Sequence, residues 1–118
     1  MREKPKDPGR LEHILMAIDN VASFLEGKTL RDLQTDKMLF FAVVKNIEII
    51  GEATNNITKE LRIQYPEIDW VAIIGMRHVL VHDYYNIDAE TAWKTATKEL
   101  PSLRPQIAAI LGELSENQ

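Results

Sequence analysis

Apolar residues recur along this chain at steps of three and four, the period that lines one face of an α-helix, and nowhere alternate as in a half-buried strand. Leu11, Ile14, Ile18, Val21 and Leu25 make the first stripe and predict a helix from about Asp7 to Glu26. Pro8 suits its first turn and Gly27 its stop. A polar connection follows from Lys28 to Thr35, with room for a turn of helix. Asp36 is a good cap for a second helix, predicted to run to about Leu61 with a bend before Thr58. Its seam is Phe40, Val43, Ile47, Ile50, Thr54, Ile57 and Leu61, the spacing found in bundles. Leu39, Phe41, Val44 and Ile49 lie off that seam, so this helix is expected to be covered on more than one side. One chain of 118 residues has few helices to do so, and a second copy is the natural supplement.

Tyr65-Pro66-Glu67 breaks the pattern, because proline disfavours helical geometry in the residue before it. Asp69 then caps a third helix carrying Trp70, Val71, Ile73 and Ile74. Asn86 is expected to end it, and Asp88 to cap a fourth over Ala89 to about Glu99. Pro101 sits where the first turn of a last helix would begin, and Pro105 still falls near that turn. This helix reaches about Leu114, with Leu103, Ile107, Ile110 and Leu111 on its apolar side. The predicted class is all-α: an antiparallel bundle of four to five helices in one domain over residues 1–118, with residues 1–7 a flexible tail.

Composition narrows the function more than the fold. With no cysteine, disulfides, thiolate metal sites and a cysteine nucleophile are excluded. No run of about 18 apolar residues exists and none follows the polar N-terminus, so a soluble, cytoplasmic protein without a membrane span is expected. The net charge of −4 argues against a general nucleic-acid coat protein, whose affinity comes from neutralising phosphates. Arg2, Lys4, Lys6 and Arg10 read as a solvated basic tail.

Against this background, the segment Gly75-Met76-Arg77-His78-Val79-Leu80-Val81-His82-Asp83-Tyr84-Tyr85 stands out. An arginine and two histidines interrupt an otherwise apolar helix, where charged groups are costly unless paired or used. Arg77 offers a permanent cation with a planar donor fork, and His82 can take and give a proton near neutral pH. On a regular helix the two positions diverge by about 140°, so one chain does not aim both at one target. The helix distorts near Val81, Arg77 wraps around, or two chains share the site across a two-fold axis. The plainer readings are a salt bridge from Arg77 to Glu48 or Glu52 and a core or dipole-stabilised His82. His78 and His82 have a permissible metal-ligand spacing but lack an evident third ligand.

Arg77, four residues, then His82-Asp83-Tyr84 has the form Arg-x4-His-x-Tyr, which resembles the signature of HepT-like toxins in the HEPN superfamily. Asn46-Ile47-Glu48-Ile49-Ile50-Gly51-Glu52-Ala53, Tyr65-Pro66-Glu67-Ile68, Ile74-Gly75-Met76-Arg77 and Glu99-Leu100-Pro101 resemble that family's phrases, so the likeness spans about Leu11 to Leu111. It implies an all-helical homodimer with two Arg-His pairs meeting in a cleft for RNA. It implies a metal-independent, cofactor-free endoribonuclease, the toxin of a type VII toxin–antitoxin pair. It also implies an MntA-like nucleotidyltransferase partner that silences the toxin by transferring AMP from ATP to Tyr84. Catalysis then falls to Arg77 and His82, and RNA contact to His78 and Tyr84. Family members often carry Asn where this chain has His78. The competing expectation, from the acidic charge, is a non-catalytic helical module that binds a nucleotidyltransferase or presents substrate to it.

Overall fold

The computed structural model of the protein describes residues 6–82 and 89–116, the stretch 77–82 by its backbone alone. Every described element is helical. The first helix, α1 (Asp7–Leu25), starts with proline inside its first turn and stops at Gly27, whose φ of 72° is the left-handed conformation that glycine adopts without steric cost. Asp7, placed at the end of the predicted tail, is already the first helical residue. The polar connection does contain helix, α2 (Leu30–Thr35), opened by a capping box. The Thr29 hydroxyl accepts from the Asp32 amide at 3.2 Å, and the Thr29 amide donates to Asp32 Oδ2 at 2.9 Å. Its Leu33 plugs into the core.

The second predicted helix is two. Asp36 caps α3 (Lys37–Asn55), accepting from the Leu39 amide, and α4 (Lys59–Gln64) starts afresh. The bend expected before Thr58 is a full break, because Thr58 acts as a new N-cap: its hydroxyl accepts from the Leu61 amide. Arg62 from α4 folds back and donates to the Thr54 and Asn55 carbonyls at 3.2 and 2.9 Å, tying α4 to the end of α3. Ile57 and Leu61 stay buried across the break, so the apolar period survived although the helix did not.

After the proline break, α5 (Trp70–His82) begins with the Asp69 carboxylate accepting from the Ala72 amide. The fourth and fifth predicted helices form one rod: α6 (Ala89–Lys94), a π turn (Thr95–Glu99) and α7 (Leu100–Glu116). Buried Ala92, Ala96 and Leu100 are spaced by two successive steps of four. Two such steps overrun the α-helical period by about 80°, and the wider π turn takes this up. In that turn the Leu100 amide reaches the Thr95 carbonyl, five residues back. Pro101 falls in the first turn of α7, as expected, but the π turn joins that helix to α6 without a break; Pro105, expected near the first turn, lies inside α7.

Directions follow from side-chain ties. Asp7 accepts from both the amide and the hydroxyl of Thr58, and Asn20 donates to Asn46 at 3.1 Å, so α1 and α3 are antiparallel. Arg104 grips Asp19 with two hydrogen bonds, of 2.7 and 3.0 Å, while Tyr65 donates to Glu113, so α7 also opposes α1. The Trp70 indole donates to the Tyr65 carbonyl, placing the start of α5 at the Tyr65–Glu113 pole. Thirteen residues then carry α5 about 20 Å toward the other pole, where α2 packs on α6.

The core is aliphatic, with Leu11, Ile14, Ile47, Ile50, Leu100 and Ile107 almost fully excluded from solvent. Its polar members are satisfied: Thr54 donates to the Ile50 carbonyl, and Asn46 to the Ala42 carbonyl while accepting from Asn20. Of the off-seam residues of α3, Val44 is buried, Leu39 and Ile49 are half-buried, and Phe41 is 62% exposed. No described helix is long and apolar enough to cross a membrane.

Candidate active site

Two of the sequence-predicted groups, Arg77 and His82, lie on the last turns of α5, and His78 lies between them. The helix forms there because nothing from Trp70 to His82 is proline or a strong cap, and Asp69 fixes where it starts. Thirteen residues with one acidic cap and an apolar body make a helix that packs along α3. Trp70 and Ile73 are buried, and their register brings position 77, four beyond Ile73, to within about 40° of the same line. His82, at nine residues from Ile73, falls on the opposite side of an ideal helix. The helix over 70–82 is continuous through Val81. Tyr84, Tyr85, Asn86 and Asp88 lie outside the described residues, as do the side chains of Arg77, His78 and His82.

The acids weighed as partners of Arg77 both belong to α3, the helix against which α5 packs: Glu48 is half-buried and Glu52 exposed, one turn apart. Among the described residues, shifted protonation is found at two surface ties. The Arg104 guanidinium hydrogen-bonded to Asp19 holds that carboxyl below its ordinary range, and reciprocally Arg104 is raised. Tyr65 is raised because its hydroxyl donates to the Glu113 carboxylate.

One feature of the site was not foreseen. A groove of about 200 Å³ opens between the start of α5 and the rod formed by the π turn and α7. Ile68, Ile73, Met76 and Leu103 give it an apolar floor, and Asp69, Glu99, Ser102 and Gln106 line it with polar groups. It ends at Met76, the residue before Arg77. The spacing of 99, 102 and 106 is that of one helical stripe, a signal present in the sequence. What hid it was the predicted break at Pro101, which assigned Glu99 and Ser102 to different helices.

Comparison with known proteins adds independent information. A family model described as ribonuclease HepT-like matches residues 14–110. A protein of Thermococcus cleftensis named probable ribonuclease HepT is 38% identical over 104 residues, covering 88% of this chain and 93% of that one. A candidate RNase of Caldanaerobacter subterraneus is 38% identical over 101 residues, 86% of this chain and 90% of its own. A Methanocaldococcus jannaschii protein named as a gamma-glutamylcyclotransferase and candidate RNase is 37% identical over 108 residues, 92% of this chain; the chain spans only 49% of that larger relative. No solved structure matches.

Proposed function

This chain belongs to the HepT-like ribonuclease family, and from that premise we propose that it is a metal-independent endoribonuclease that works as a homodimer and as the toxin of a toxin–antitoxin pair. Family membership and relatives named as ribonucleases make it an RNA-cleaving enzyme. What supports the finer reading is that positions 77 and 82, an arginine and a histidine five residues apart, both fall on the final turns of α5. In RNA the 2′-hydroxyl is the nucleophile: it attacks the neighbouring phosphorus, the bond to the 5′-oxygen breaks, and a 2′,3′-cyclic phosphate remains. One proton leaves the 2′-oxygen and one is delivered to the 5′-oxygen. His82 suits either transfer, and Arg77 stabilises charge on the crowded phosphorane.

Dimerisation is supported by two independent points. The divergence of Arg77 and His82 on an ideal helix favours completing each site from two subunits. Met38 and Phe41 on α3, with Met16 and Phe24 on α1, leave large apolar side chains in water. In this reading His78 and Tyr84 contact RNA, and an MntA-like nucleotidyltransferase silences the enzyme by attaching AMP to Tyr84. The added group is bulky and anionic two residues from His82, so it obstructs the cleft and repels phosphate. In this reading the chain folds as one helical domain and acts in the cytoplasm.

The test is cleavage of RNA by purified protein in the presence of a chelator, with end-group analysis. Cleavage leaving cyclic phosphate supports the mechanism, and activity that vanishes with chelator contradicts it. The net charge of −4 favours one other reading, a non-catalytic module presented to a nucleotidyltransferase. Unmodified protein that binds such a partner yet cuts no RNA would establish that alternative.

A further inference from the structure

Glu99, Ser102 and Gln106 share one stripe of the rod, and among the described residues none of them has a hydrogen-bonding or ionic partner. They face the N-terminal half of α5 across the groove floored by Ile73, Met76 and Leu103. The groove's charged groups are the carboxylates of Glu99 and Asp69, with no lysine or arginine among its lining. Such a surface rejects a phosphate and accepts from N–H donors. A flat apolar ring with donors on its edge is what the floor and rim together fit.

We infer that this groove is a nucleobase subsite, which holds a base flanking the scissile phosphate and sets where the RNA is cut. The inference rests on the ribonuclease reading above and extends it to specificity. Ile73 lies about 6 Å, and Asp69 about 12 Å, along the helix axis from Arg77, so a base seated here belongs to a nucleotide next to the phosphate at Arg77. Single-stranded RNA is read in this manner, with splayed bases held on their hydrogen-bonding edges. Glu99 and Asp69 accept from exocyclic amino or ring N–H groups, and the Gln106 amide can both donate and accept. The volume of about 200 Å³ suits one base rather than a larger ligand. A reason for the π turn also emerges. It sets the register in which Glu99, Ser102 and Gln106 line the groove while Leu100 and Ile107 stay in the core, and turns of this type recur at functional sites. The division of labour resolves the acidic charge: phosphate is gripped at the motif, and the base enters where phosphate is excluded.

The experiment compares wild type with the double variant Glu99→Ala/Gln106→Ala and with Ala72→Trp, which fills the groove from α5. All three positions are exposed, and circular dichroism checks that the fold is kept. Substrates are oligoribonucleotides identical except for the bases flanking the cut. Wild type is expected to discriminate between best and worst base by about 10-fold or more in kcat/KM, the scale of one good base contact. Both variants should lose that discrimination, kcat/KM for the best substrate falling toward that for the poorest. Unchanged base preference in both variants overturns the subsite and leaves the ribonuclease reading intact. Wild-type protein that cuts none of the RNAs overturns the ribonuclease reading itself. A basic peptide that shifts the Ala72 and Gln106 amide resonances, where no ribonucleoside does, would also overturn the subsite in favour of a protein ligand.

Discussion

At the scale of the residue, few side chains decide much, and they decide different things. Arg77→Ala and His82→Ala should each lower RNA cleavage by about 10²–10⁴-fold, the range for losing a proton-transfer group or a donor to developing charge. Helical content and oligomeric state should be unchanged in both, by circular dichroism and light scattering. Equal activity in Arg77→Ala would return that residue to the role of a salt-bridge partner. Asp19 makes a different prediction. Its carboxyl is held below the ordinary range by the bidentate contact from Arg104, so its folded form binds protons less readily than its unfolded form. The contribution is present above the usual carboxylate pKa of about 4 and is lost as pH falls through the lower folded value. Denaturation midpoints of wild type and Asp19→Asn should therefore differ at neutral pH and converge in acid.

At the scale of the element, caps and periods share control. Apolar spacing predicted α1, the body of α3 and α5 well, since burial of one stripe is the main reason each of them is stable. It could not predict the break after Asn55, because Ile57 and Leu61 keep the same period across it. That break depends on a contact 51 residues distant, the double acceptance of Thr58 by Asp7. Thr58→Ala removes the hydroxyl half of this tie, leaving the amide hydrogen bond to Asp7, and removes the cap of α4. It should destabilise the protein by about 1–2 kcal/mol in urea titration, the upper part of the range for N-caps. For comparison, Ile47→Ala in the middle of α3 should cost about 2–5 kcal/mol, since its side chain is fully buried and the neighbours are held by three helices. At Pro101 the start of α7 is where the local signal puts it, but no break precedes it. Proline there was a sound local signal for a helix start, and the π turn before it let the rod continue.

For the molecule as a whole, the bundle leaves a consistent remainder. Met38, at 84% exposed, and Phe41, at 62%, stand on α3 outside the core that α1, α5 and the rod complete. A second copy would cover them, and the double variant Met38→Glu/Phe41→Glu should be monomeric by light scattering at concentrations where wild type is dimeric. If sites are shared, that monomer also loses cleavage; an active monomer would refute the two-subunit site. Co-expression with a minimal nucleotidyltransferase should raise the intact mass in steps of AMP, and the Tyr84→Phe variant should stay unmodified and active. Modification that persists in Tyr84→Phe would assign the acceptor elsewhere.

The candidate catalytic pair is a reading from order alone: an arginine and a histidine in an apolar helix are conspicuous wherever that helix lies, because burial makes such groups expensive. The helical class, the starts of the helices at Asp7, Asp36 and Asp69, and the core stripe of each were likewise set by the sequence, since periodicity and capping are local properties. Only the tertiary structure decided where helices yield or continue, which off-seam residues stay in water, and that Glu99, Ser102 and Gln106 face the first turns of α5 across a groove. Those outcomes depend on which distant groups meet. A contact between Asp7 and Thr58, or a groove between two helices, is a property of packing that no local spacing encodes.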